Sequence, residues 1–318
     1  MKNFGQKFEH YYIVLRRKII RPIMNNRKLA YFLSKHCLRL YLAMFYENWV
    51  GKRMHYCHPQ DLNQALIKLS LKNSRDPKMR ELVPMCADKY AVREFVESKG
   101  HGEILNELYG VYDNVDDINL EELPDQFVMK MNNASGRNYI CLDKKDCDWE
   151  NVKCRFAEWL KDTDFGWDTG EWQYSLIKPK IIIEKYLKDL GVGSLIDYKA
   201  QVFHGKVIDF FVCYNRDNDF ALADGCTPVC YDCYTTDWER TDDITPEWRL
   251  QRQLIPKPKT LQQMIKVAED CCKDFEYCRF DMYEIDGKLL LGEMTLTPHG
   301  NVVNFYRDEY LVKMKQYL

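Results

Sequence analysis

Arg279–Asn301 reads "RFDMYEIDGKLLLGEMTLTPHGN": two runs of alternating apolar and polar residues around Asp286–Gly287, the pattern of a β-hairpin. Asp281 and Glu293 stand on opposite sides of that turn. Whether their carboxylates meet depends on parity, because side chains alternate faces along a strand. A two-residue Asp286–Gly287 loop opposes 285 to 288 and sends the two acids to opposite faces. A three-residue loop with Gly287 left-handed, or a bulge elsewhere, brings Arg279, Asp281, Glu293 and Thr295 to one face. The three-residue loop is the expectation, since two carboxylates beside an arginine suit magnesium and a transferred phosphoryl group. The acids offer hard oxygens to the metal, and the guanidinium pairs with phosphate. Replacing either acid is then expected to abolish turnover while largely sparing the fold.

Upstream, "KMNNASGR" sets Lys130 on a strand leading into a loop of small residues. There Ser135 and Gly136 let backbone N–H groups close over phosphates. The G-x-x-x-x-G-K-[ST] phosphate loop is absent. In "CADKYAVREFV" Asp88 is a helix cap, which places Lys89 at a helix start. Residues 1–72 read as helices, Asp76–Pro77 opens another, and 260–274 is a further one. From about 125 the period becomes two. "FVMKMN", "NYICL", "KPKIIIEKYL", "LIDYKAQVF", "VIDFFVCY", "YCRFDMYEI" and "KLLLGEM" are strands. Such mixing, with a strand-rich second half, indicates an α+β fold.

In this order the segments "CADKYAVREFV", "FVMKMNNASG", "PKIIIEKYL", "DYKAQVFHGKV" and "YCRFDMYEIDGKLLLGEMTLTPHGN" resemble the ATP-grasp fold. Within it they are similar to the TupA-like branch, associated with teichuronopeptide and other bacterial cell-surface polysaccharides. The resemblance runs from about Pro77 to Asn304. It implies that Lys89 and Lys130 grip the phosphates of ATP and that Ser135–Gly136 cover them as a lid. Glu184, Lys185, Tyr186 and Leu187 would form the hinge against adenine and ribose. Lys199 would approach the phosphates, and Arg279, Asp281 and Glu293 would form the Mg2+ and γ-phosphate end. Thr295 stands where D-alanine–D-alanine ligases carry asparagine, and Asn301 is the candidate replacement metal ligand. The implied organisation is a basic helical N-terminal extension (1–75), the first part of the ATP-grasp core (76–125), a lid subdomain (126–183) and a catalytic subdomain (184–318).

The implied activity is a Mg-ATP-dependent carboxylate–amine ligase working through an acyl phosphate to an amide. Its partners would be a uronic-acid-containing saccharide or an amino-acid acceptor. A sugar kinase on the same site and a glycosyltransferase are the alternatives. The latter would need a D-x-D metal motif, and "DTD" (Asp162–Asp164) follows a helix instead of ending a strand.

Composition fits this reading. The 318 residues, 46% hydrophobic and 30% charged, suit a globular chain of two or three subdomains. Thirteen cysteines, an odd number without a regular framework, fit free thiols in a cytoplasmic protein. "GCTPVCYDC" (Cys226, Cys230, Cys233) has the spacing of an iron–sulfur motif, but its place after a hairpin strand favours a reduced loop. Trp167 and Trp172 lack helical spacing and suit either core packing or a sugar or adenine ring. Residues 1–55 carry a net charge of +10 and the remainder −12. A basic leader of this kind is suited to the anionic inner face of the plasma membrane, to an acidic polymer, or simply to solvent. Nucleic acid is disfavoured by the acidic body.

Overall fold

The computed structural model describes residues 2–188, 195–214, 229–248 and 254–318, with side chains from residue 11 onward. The chain divides into two compact units, one of 1–81, 164–176 and 297–318, the other of 82–163 and 177–296.

The first unit is helical. It contains α1 (Lys2–Asn25), α2 (Arg27–His36), α3 (Leu38–Trp49), α4 (Leu62–Asn73) and, near the C-terminus, α9 (Asp308–Met314). Asp61 starts α4 by accepting a bond from the Gln64 amide at 2.9 Å, a side-chain N-cap. Its second oxygen accepts the buried Tyr46 hydroxyl at 2.7 Å. Tyr41, Leu42, Phe45, Tyr46, Ile67 and Leu71 form the core of this unit, and Val302 joins it from the C-terminal segment. The 164–176 segment is stitched to the same helices. Tyr41 donates to the Asp168 carbonyl at 2.6 Å, Trp167 meets Tyr31 edge-on, and Trp172 donates to Ser70 at 3.2 Å. Of the two readings for these tryptophans, packing is the one the structure shows.

The second unit holds two antiparallel sheets. One has the order β1 (Leu108–Tyr112), β4 (Ile181–Lys185), β2 (Phe127–Met131), β3 (Asn138–Cys141). The other has the order β10 (Lys288–Thr295), β9 (Tyr277–Ile285), β5 (Asp197–Phe203), β6 (Lys206–Tyr214), β7 (Cys230–Thr235), β8 (Arg240–Thr241). Helices α6 (Ala91–Ser98), α7 (Trp149–Leu160) and α8 (Leu261–Cys272) belong here, and α5 (Pro77–Ala87) spans the division. In the six-stranded sheet Ala200, Phe210, Phe280 and Met282 are fully buried, and α8 lies across β5, β6 and β9. The alternate positions carry the charges.

Two sequence expectations are corrected. The Asp286–Gly287 turn has two residues, not three: Ile285 opposes Lys288, and both turn residues are left-handed, with φ of 53° and 73°. That is the twist a tight hairpin between right-twisted strands needs. Cys230 and Cys233 lie in β7, not in a loop. Three positions apart on a strand they face opposite ways and cannot share one iron; Cys226 lies outside the described residues.

Candidate functional site

Register builds the site. With a two-residue turn, strict alternation would send Glu293 away from Asp281. The pairing instead shifts between Leu291 and Glu293, so Gly292 is an extra residue and Glu293 falls opposite Asp281, with Thr295 opposite Arg279. This β-bulge does what the longer turn was expected to do. Glycine suits this position: a Cβ on Gly292 would stand 3.0 Å from the Asp281 carbonyl oxygen and 3.3 Å from its carbon, tighter than an ordinary contact. Both are backbone atoms, which cannot swing aside. Gly292→Ala is therefore expected to lower stability by about 1–3 kcal/mol through local overpacking. Urea unfolding of the variant would measure it.

The bulge completes a row across three strands, because Lys199 of β5 is paired with Asp281 of β9, and Asp281 with Glu293 of β10. Arg279 donates from Nε and Nη2 to the two Asp281 oxygens at 2.7 and 2.6 Å, and from Nη2 to Glu293 at 3.2 Å and Thr295 at 3.1 Å. Thr295 donates to Glu293 Oε1 at 3.2 Å. Lys199 is buried between Asp281 and Asp197, the latter at 2.6 Å. Asp197 was not singled out from the sequence, although its spacing from Lys199 on a period-two strand places both on one face.

The two candidate phosphate lysines lie apart from this row, Lys130 on β2 of the other sheet and Lys89 ahead of α6. Lys89, just before α6, donates its backbone N–H to Asn132 at 3.1 Å and its ammonium to the Ala134 carbonyl at 2.5 Å. Asp88 anchors this corner, capping α6 at the Tyr90 and Ala91 amides and accepting from Asn132 at 2.9 Å. Ser135 and Gly136 are exposed at the loop tip, Gly136 with a φ of 71°. Lys130 pairs with Glu184 at 2.9 Å, and Arg93 reaches the other Glu184 oxygen at 3.3 Å. Glu184 thus neutralises Lys130. Lys185 is exposed and pairs with Glu107 at 3.2 Å, and Tyr186 and Leu187 follow β4 half-buried.

Both sheets meet at a small cleft of about 20 Å³ lined by Lys89, Lys130, Glu184 and Gly292. Burial alone would raise the Glu293 carboxyl, but Lys89, Arg279 and Lys199 outweigh it and hold the group at about 2. Burial lowers the Lys89 ammonium, with Glu293 acting against that shift. Burial also raises Asp281, against Arg279 and Lys199. The two lysines and the carboxylate row therefore form one electrostatic system.

Asn301 belongs to the helical unit, not to the unit of Asp281 and Glu293. It is fully buried in a left-handed turn with Gly300. Asp162 pairs with Arg137, whereas Asp164 is held by Lys35 and Tyr31. Among the described residues no group of three or more His, Cys, Asp or Glu side chains is placed to hold a metal ion. Two carboxylates fit Mg2+ nonetheless, because this ion takes one or two protein carboxylates and completes its shell with phosphate and water.

Comparison with solved structures finds ligases. The D-alanine–D-alanine ligase of Bacillus anthracis is 17% identical over 73% of this chain and 63% of its own, with a TM-score of 0.44. An L-amino acid ligase from Bacillus licheniformis is 13% identical over 74% and 48%, with a TM-score of 0.43. The ATP-grasp ligase PsnB, complexed with its minimal precursor, is 9% identical over 90% and 72%, at 0.42. The chain spans about three-fifths of the length of the D-alanine–D-alanine ligases it matches. Comparison with curated proteins finds no match. The model of one family, described as TupA-like ATP-grasp, covers residues 66–315. From Leu66 in α4 to the end of α9, and through every strand of both sheets, the chain belongs to the TupA-like ATP-grasp family.

Proposed function

We propose that the protein is a Mg-ATP-dependent ligase that joins a carboxylate to an amine during assembly of a bacterial cell-surface polysaccharide. The carboxylate would come from a uronic-acid-containing saccharide or an amino acid. The observation that carries the reading is Lys89, bonded to the Asn132–Arg137 loop at Ala134 and electrostatically coupled to Glu293. One ammonium thereby ties the phosphate-covering loop to the carboxylate row, in a chain of an ATP-grasp family.

Bound Mg-ATP supplies the phosphoryl group that turns a carboxylate into an acyl phosphate, from which an amine displaces phosphate to leave an amide. Lys89 and Lys130 hold the phosphates, and the amides around Ser135–Gly136 close over them. Glu293 and Asp281 would hold Mg2+ through oxygens that Arg279 orients. Arg279 and Lys199 neutralise charge at the transferred group, and no covalent enzyme nucleophile is needed. Glu184, Lys185, Tyr186 and Leu187 form the nucleotide hinge. In this reading Lys130 leaves Glu184 for phosphate when nucleotide binds.

Lys130→Ala is expected to weaken ATP at least about tenfold, since a charge-assisted bond contributes about 1.5–3 kcal/mol and one decade is about 1.4 kcal/mol. Calorimetry with unchanged ATP affinity would remove Lys130 from the site. The activity itself is tested by Mg-dependent ADP release over uronic acids paired with amino acids. An amide product with loss of the amine supports the ligase. A phosphorylated sugar formed without amine consumption replaces it with a kinase.

A further inference from the structure

Helices α1 and α2 leave large apolar side chains in solvent. On α1 Ile13 and Ile20 are buried, while Tyr11, Leu15 and Ile19 are 73%, 63% and 59% exposed. Their spacing of four makes one stripe on the outer face of the helix. On α2 Phe32 is 53% exposed, and its ring lies 4.8 Å from that of His36. Exposed cations accompany both helices: Lys18 and Arg21 on α1, Lys28 on α2. The two acids of the first 55 residues are Glu9 and Glu47, and buried Glu47 is paired with Arg16 at 2.9 Å.

At the joint of α2 and α3 lies a cavity of about 550 Å³. Lys35, His36, Arg39 and Arg75 supply its polar lining, and Leu38, Ala43 and Leu71 its apolar part. Lys35 is paired with Asp164. Arg39 lies over the Tyr56 ring at 4.6 Å, and among the described residues neither Arg39 nor Arg75 is assigned an acid partner. Basic groups set over apolar side chains match a phosphate that carries a hydrocarbon chain.

We infer that the helical unit docks on an anionic lipid bilayer. The α1–α2 apolar side chains enter the headgroup boundary, Lys18, Arg21 and Lys28 face lipid phosphates, and the cavity at the α2–α3 joint receives one lipid headgroup. An amphipathic helix with a cationic flank lies in the interface plane in this way, and each basic residue near an anionic surface adds attraction that salt screens. No helix among the described residues is long and apolar enough to cross a membrane, so the contact is peripheral. The inference does not rest on the ligase reading.

The test uses the full chain and flotation with phosphatidylcholine vesicles, with or without phosphatidylglycerol. Binding is expected to the anionic vesicles only, falling with added salt. Leu15→Glu/Ile19→Glu should weaken it at least about tenfold, as an apolar anchor replaced by charge no longer enters the interface. Both positions are exposed, so this variant should fold, which its unfolding midpoint checks. Lys18→Glu/Arg21→Glu, a second variant, should weaken anionic binding and flatten its salt dependence. Equal vesicle binding by the unsubstituted chain and Leu15→Glu/Ile19→Glu overturns the inference, as does equal binding to neutral vesicles. Release from vesicles by glycerol phosphate would make the cavity a soluble-phosphate site instead. Self-association abolished by Leu15→Glu/Ile19→Glu would assign the face to a second copy of the chain.

Discussion

Glu293→Gln is expected to lower ATP-dependent turnover at least about a hundredfold while the fold persists. Removing one preorganised electrostatic group commonly costs two to three decades, roughly 3–4 kcal/mol of transition-state stabilisation. Glutamine preserves the shape and can still accept from Thr295 and Arg279, but it removes the charge that Lys89 and Mg2+ would share. The side chain is 37% exposed, and Arg279 keeps its two bonds to Asp281, so the buried guanidinium is not stranded. The variant also has a pH signature. Glu293 is held at about 2 against an ordinary 4.5. Its charge therefore contributes stability above about 4.5 that is lost as the pH falls through about 2. Acid unfolding of Glu293→Gln should lack that part of the loss. Full magnesium-dependent activity in this variant would overturn the assignment of the row.

Asp281→Asn should behave differently, although it sits directly across the strand pair. It is expected to lose activity and also about 3–5 kcal/mol of stability, the usual consequence of removing one partner from a buried ion pair. Asp281 is 1% exposed and binds Arg279 through both oxygens, with Lys199 on one of them. An amide would leave two buried cations facing a neutral group, one of them held by Asp197 alone. Equilibrium urea unfolding separates the two variants, and a midpoint unchanged from that of the unsubstituted chain would contradict the geometry. The sequence treats the two acids as equivalent, each expected to spare the fold. Burial separates them: Glu293 lies on the edge strand β10, whereas Asp281 lies on β9 between β5 and β10.

Much of the architecture was legible because its signals are local. Asp61 and Asp76 begin helices at the expected positions, since a carboxylate that accepts an amide two or three residues ahead needs only its own neighbourhood. The Val, Ile and Phe runs of β2, β4, β5, β6 and β9 have the period of strands wherever the partners lie. The bulge at Gly292 was also written in the sequence, as a glycine inside a strand pattern. The turn masks it, because a hairpin loop of two or three residues reads equally well around Asp-Gly. Gly292 is decided by what its missing Cβ would strike, the Asp281 backbone of the next strand, a contact that no residue-by-residue periodicity contains.

By itself the sequence determined the order of motifs, the strand and helix periods, and a family that spans most of the chain. Tertiary structure decided which side chains share a face and which charges are already spoken for. Lys130 reads as a free phosphate ligand until β4 lays Glu184 beside it, and Lys199 as an approaching cation until Asp197 and Asp281 close around it. Trp167 and Trp172 look available to a ring until the helices of the first unit take them. The physical reason is the same in each case. Identity and spacing set what a side chain can bond to, but in a folded chain the partner is supplied by residues far away in sequence, 136 positions for Trp167 against Tyr31, and burial sets the strength of the contact.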